Sequence, residues 1–152
     1  MKQPGVDVSL VIAAPAGRVL KAFFEAEALG AWWQVARSVT APRTLGPYVV
    51  EWNPTVDRDD VLGRLGGVLR GTVMQYTPNE GFFVADAFWL PPDGDPIGPM
   101  AIDVTVRAEG DKTRLRVTQT GFEEGDRWRR YYDLIAAGWH RALHSLKQLL
   151  EK

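Results

Sequence analysis

DRWRRYYDLIAAGWHRALHSLKQLL, residues 126–150, is the stretch on which the fold turns. Trp128, Tyr132, Ile135, Trp139, Ala142, Leu146 and Leu149 recur at spacings of three and four, the period of a helix with one apolar face. Arg127, Arg129, Arg130, Asp133, Arg141 and Lys147 fall largely on its other faces. The chain is therefore expected to end in one long amphipathic helix. Its ring-bearing stripe needs another layer to cover it.

That layer is legible upstream. Val6, Val8, Leu10 and Ile12 alternate with Asp7 and Ser9, as in a strand with one buried face. Pro15 can open a helix, and Val19, Ala22, Phe23, Ala26, Leu29 and Trp33 follow at helical spacing, giving one or two short helices over 15–33 with a break near Gly30. VARSVTAP (35–42), PYVVEWNP (47–54), GVLRGTVMQYTP (67–78) and FFVADAFWL (82–90) are rich in strand formers and separated by turn residues. Met100, Ile102, Val104 and Val106 alternate with polar neighbours, as do Leu115 and Val117, and GDKT (110–113) joins the two runs as a hairpin. Residues 54–67 and 91–99 read as loops. The expectation is an α+β fold: a curved antiparallel sheet of about six to seven strands wrapped around the C-terminal helix, a single helix-grip domain over 1–152. Where sheet and helix part, an aromatic-walled pocket opens.

Composition narrows the function. With 152 residues, about 69% of the unfolded chain's surface is buried on folding, enough for a core without cross-links. There is no cysteine, which excludes disulfides, thiolate metal sites and cysteine nucleophiles. A net charge of −1 sets up no field that would recruit nucleic acid or an anionic membrane. The N-terminus lacks a hydrophobic signal core, and no apolar run approaches the roughly 20 residues of a spanning helix, so a cytoplasmic protein without membrane insertion is expected. Six tryptophans, six phenylalanines and four tyrosines supply cavity walls or core filling.

IAAP (12–15), ALGAWW (28–33), GPYVVEW (46–52), LRVTQTGF (115–122) and AAGWHRALHSLKQLL (136–150) together resemble the family of activator of heat-shock protein ninety ATPase homologues, within the START-like, polyketide-cyclase-like superfamily. The resemblance runs from about residue 6 to about residue 150. Its most specific parts are Trp32-Trp33, Gly121-Phe122 and Gly138-Trp139. It implies a helix-grip fold and a hydrophobic cavity for a small molecule, with no cofactor; some members of the superfamily are cyclases, dehydratases or hydrolases. A homodimer is compatible with it. The eponymous activator carries a separate chaperone-binding domain for which this chain has no room, so a chaperone partner is not the leading expectation.

The expected ligand-binding residues are Trp33, Tyr48, Trp52, Phe83, Trp89, Ile102, Val104, Val117, Gln119, Trp128, Tyr132, Ile135 and Trp139. Gln119 continues the inward alternation of Leu115 and Val117, so its amide must bond to a neighbour, a water or a ligand. It is the leading polar contact. Gly138 lets the helix approach the sheet or leaves volume beside Trp139, with close packing the favoured reading.

Asp86 is the one catalytic candidate. If Phe82, Val84 and Phe88 face inward, its carboxylate joins them in an apolar cavity, as an acid or base with a raised pKa. If Phe83, Ala85, Ala87 and Trp89 face inward, it faces solvent. An enzyme using Asp86 and a chaperone-ATPase-stimulating module are accordingly the alternatives to binding. His140 and His144, at i and i+4, lack the companions of a metal motif and read as surface residues. Asp57, Asp59, Asp60, Asp93 and Asp95 read as solvated turn acids, and no metal is expected.

Overall fold

The computed structural model describes residues 5–152, so Met1 to Pro4 of the expected domain lie outside the described residues. Strand β1 (Val6–Ile12) leads into helices α1 (Ala16–Lys21) and α2 (Ala26–Trp33). Strands β2 (Arg37–Thr40), β3 (Pro47–Trp52), β4 (Arg58–Asp59), β5 (Gly63–Arg64), β6 (Gly67–Thr77), β7 (Gly81–Leu90), β8 (Ile97–Glu109) and β9 (Lys112–Thr120) follow, and α3 (Asp126–Leu150) ends the chain. Seven strands form one antiparallel sheet in the order β1-β9-β8-β7-β6-β3-β2, and β4-β5 is a separate small hairpin. The helix break lies at residues 22–25, between α1 and α2, rather than near Gly30, which sits inside α2.

The sheet bends because its central ladders are irregular. Register shifts interrupt β6–β7 on either side of Thr72–Val73 and β7–β8 around Ala87. Such bulges increase local twist and let a sheet curl around a helix. Gly71 sits opposite one of them, where a Cβ would stand 2.6 Å from Val84 Cγ1.

The bulge in β7 also resolves the two readings of FFVADAFWL. Phe82 and Val84 are buried, then Asp86 takes a left-handed φ of 51°, and beyond it Ala87 and Trp89 are buried. One extra residue changes the parity of the strand, so each alternation is right for half of its length. Asp86 lies exposed at the change-over, and Phe83 lies on the face opposite its buried neighbours Phe82 and Val84.

Helix α3 is about 37 Å long and packs against α2 and β1. Its buried stripe is Tyr131, Trp139, Ala142, Leu143, Leu146 and Leu150, turned slightly from the expected one. Tyr131 takes the deep position at the N-terminal end, while Trp128 and Tyr132 are half-buried against Phe122. No helix among the described residues is long and apolar enough to cross a membrane.

Candidate functional site

Most of the aromatic side chains fall into three groups, two of them joined by Phe23 and Trp32 at 5.0 Å and the third gathered around Phe122. Around α1, Phe23, Phe24, Tyr48, Tyr76 and Phe82 form a cluster of rings whose neighbouring centroids stand 4.8–6.5 Å apart. Tyr48 donates its hydroxyl to Phe23 O at 2.8 Å, and burial raises its pKa. At the other end of the helix-sheet gap, Trp32 stacks on Trp33 at 5.0 Å, and Trp33 meets Trp52 at 5.2 Å and Trp139 at 4.9 Å. Here the interior holds a cavity of about 620 Å³, within the usual range for small-molecule sites.

Its wall is built by Trp32 and Trp33 from α2; Trp52 at the end of β3 with Asn53 and Thr55 beyond it; Leu62, Leu65, Gly66 and Leu69 from the β4–β5 hairpin and β6; Trp89 from β7 and Gln119 from β9; and Tyr131, Leu134, Ile135, Gly138, Trp139 and Ala142 from α3. Gln34, Asn53, Thr55 and Arg141 on its boundary are exposed and mark where it meets solvent. A Cβ on Gly138 would meet nothing nearer than Arg141 Nη2 at 4.0 Å. The missing side chain therefore leaves volume, and close packing is not the reason for glycine there.

Polar order inside the cavity is tight. The indole N–H groups of Trp32, Trp52 and Trp89 donate to the carbonyls of Ala22, Trp33 and Gly66, each at 2.8 Å. Trp139 donates to Gln119 Oε1 at 2.8 Å, and Gln119 Nε2 donates to Tyr131 Oη and to Met100 Sδ, both at 3.2 Å. The buried amide thus has protein partners on both of its atoms. Burial raises the pKa of Tyr131 and so keeps it a neutral phenol, with the Gln119 hydrogen bond acting weakly in the opposite direction.

The β4–β5 hairpin covers one side of the cavity and is held by two carboxylates. Asp59 accepts from Arg130 of α3 at 2.7 Å with its side chain 7% exposed, and its pKa lies below the ordinary value chiefly through that hydrogen bond. Asp93 accepts from the Arg64 side chain and backbone N–H and lies 3.4 Å from Arg58; these contacts hold its pKa at about 2. The expectation of solvated turn acids fails for these two. They tie loop to loop and loop to helix.

Of the expected binding residues, Trp33, Trp52, Trp89, Gln119, Ile135 and Trp139 come together on the wall. The others do not line it. Tyr48 belongs to the ring cluster around α1, while Ile102, Val104 and Val117 are buried in the core away from the cavity. Phe83 points to the other face of β7, and Trp128 and Tyr132 pack on Phe122 because the helix is turned toward Tyr131. Asp86 does not line the cavity. Trp32, Tyr131, Ala142, Leu62, Leu65, Leu69 and Leu134 line it without being among the expected residues. Tyr131 had a signal, since Tyr131, Ile135, Trp139, Ala142 and Leu146 also fit helical spacing. The leucines of the hairpin had none, because they sit in a stretch that reads as loop.

His140 and His144 are exposed, with His144 Nδ1 3.1 Å from His140 O. No cluster of three or more His, Asp or Glu among the described residues stands ready for a metal ion.

Comparison with known proteins agrees with this architecture. Protein MLL2253 from Mesorhizobium loti is 23% identical, with 97% of this chain and 96% of that one covered at a TM-score of 0.72. The Aha1 dimer from Colwellia psychrerythraea is 17% identical over 98% and 97% of the chains at 0.68. The AHSA1 (SPO3351) protein from Silicibacter pomeroyi is 15% identical over 97% of each at 0.70. At these identities the likeness is one of fold. A comparison with curated proteins finds no match. The model of the Activator of Hsp90 ATPase homolog 1-like protein family matches residues 13–151, nearly the whole chain, and the protein belongs to that family.

Proposed function

We propose that the protein binds an apolar, ring-bearing small molecule in the cavity between α3 and the sheet. The observation that carries this reading is Gly138. A buried stripe that otherwise fills its space with Tyr, Trp, Ala and Leu has hydrogen in place of a side chain where the cavity lies, and about 620 Å³ stays open beside five tryptophan rings. Removing apolar surface from water at about 25 cal/mol per Å² supplies the affinity.

The family's polyketide-cyclase-like fold is compatible with either binding or cyclase-type chemistry. The cavity favours binding. Its wall carries no carboxylate and no imidazole, and Asp86, the candidate acid or base, lies outside it. Proton transfer is most often carried out by such a group held within hydrogen-bond reach of the substrate. The Colwellia neighbour was solved as a dimer; for this chain a homodimer is a separate proposal, to be tested by sedimentation.

The experiment is a titration with N-phenyl-1-naphthylamine, a neutral apolar fluorophore, against the natural protein and Gly138→Phe. Saturable enhancement at one site, lost when the phenyl ring fills the cavity, supports the reading. Equal binding by both proteins overturns it.

A further inference from the structure

The binding reading leaves open which polar feature a ligand must carry, and the hydrogen-bond directions around Gln119 bear on that. An indole N–H can only donate, so the 2.8 Å contact from Trp139 requires Gln119 Oε1 on that side. The amide nitrogen is then the atom facing Tyr131, and an amide NH₂ can only donate. Tyr131 Oη is therefore an acceptor toward Gln119, and its own proton is turned elsewhere. Among the described residues no acceptor stands within hydrogen-bond distance of that hydroxyl as a donor. Its ring is held by Trp89, stacked at 5.3 Å and 21°, and by Phe122 at 6.0 Å, so the hydroxyl cannot swing to find one. The residue is buried and lines the cavity, which is the side from which an acceptor can approach.

Gln34, Asn53 and Ser145 also carry donors on the wall, but none of them is buried, and the indole donors are accounted for. The N–H groups of Trp32, Trp52, Trp89 and Trp139 are already used. The half-buried Trp33 has no N–H partner among the described residues, but no fully buried side-chain nitrogen or oxygen lacks one, so its N–H reaches accessible surface. Arg141 is the only charged side chain on the wall, and it is exposed. A ligand anion beside Tyr131 would lose its hydration without a buried cation to offset the cost.

We propose, on the basis of the binding reading above, that Tyr131 sets ligand specificity: its hydroxyl donates to a neutral oxygen acceptor, a ketone or ester carbonyl, set in an otherwise apolar ring molecule. Gln119 acts as a positioning residue. It takes the Trp139 proton, gives its own to Tyr131, and so points the phenol outward.

The test uses two probes of nearly one shape, 9-fluorenone and 9-methylenefluorene, which differ by a carbonyl in place of an exocyclic methylene. Both are titrated into the natural protein and into Tyr131→Phe, which keeps the ring, by quenching of tryptophan fluorescence. The natural protein is expected to prefer the ketone by about three- to tenfold, the worth of one hydrogen bond, and Tyr131→Phe to bind both alike. The carbonyl stretch of bound fluorenone, read by infrared difference spectra, falls in frequency in the natural protein and returns in the variant. This readout does not depend on affinity. Binding of both probes with no preference overturns the specificity inference and leaves cavity binding standing. A preference that survives in Tyr131→Phe assigns the contact to another donor on the wall, such as Trp33, Asn53 or Ser145, and also overturns it. Failure of both probes to bind the natural protein removes both readings together.

Discussion

Asp59 in the β4–β5 hairpin and Arg130 in α3 meet at 2.7 Å although they lie 71 residues apart in the chain. The hairpin has only two short strands, so little of its own ladder holds it, and this contact joins it to the helix across the cavity. Arg130→Leu is therefore expected to loosen the hairpin while the main sheet stays folded. Amide exchange should accelerate at Val61 and Leu62, whose N–H groups donate to Asp59 Oδ2, and remain slow in β8 and β9. Uniform acceleration across the whole chain would refute the latch.

The same hairpin has a pH dependence with a defined sign. Asp59 and Asp93 both have folded-state pKa values below the ordinary carboxylate value, Asp93 at about 2. Their contribution to stability is present above the unfolded value of about 3.9 and is lost as the pH falls through the folded values. Between pH 5 and pH 2 the Arg64 amide, which donates to Asp93, should lose protection earlier than core amides once intrinsic rates are corrected. Loss on raising the pH from 5 to 8 would have the wrong sign for this mechanism.

Gln119 and Trp139 form a buried pair whose members should not contribute additively. Trp139→Phe leaves Gln119 Oε1 without its donor, and Gln119→Leu strands the indole N–H; each is expected to cost about 1–3 kcal/mol in denaturant unfolding. The double variant should cost less than the sum, since neither group is then left unpaired. Strict additivity would mean that the contact contributes nothing.

Asp86 provides a backbone test. At φ 51° a side chain is strained and glycine is not, so Asp86→Gly should stabilise by about 1 kcal/mol and leave binding of N-phenyl-1-naphthylamine unchanged. A loss of binding would return Asp86 to the site.

The architecture was readable because it rests on periodicity. The stripe in residues 126–150 and the alternations in β1, β8 and β9 each span several repeats, and a sheet with one buried face constrains register strongly. The site was half readable. Trp33, Trp52, Trp89 and Trp139 stand out by size alone, but Phe83 was misplaced because a bulge changes strand parity without marking the local composition. Tyr131 and Tyr132 compete for one position on the helix, and a shift of one residue, about 100°, decides between them. Leu62 and Leu65 depend on the Asp59 and Asp93 contacts, which join residues far apart in sequence and leave no local pattern.

Gly138→Ala should raise stability by about 0.5–1 kcal/mol, because the position is helical and a methyl group enters open space.

The most direct measurement of the central claim is an NMR titration of labelled protein with N-phenyl-1-naphthylamine, read at the indole N–H and methyl signals. The account expects saturable shifts at Trp33, Trp52, Trp139, Leu65 and Ile135, with no response in Gly138→Phe. Shifts confined to the α1 ring cluster of Phe24 and Tyr76, or an undiminished response when position 138 carries a phenyl ring, would contradict it.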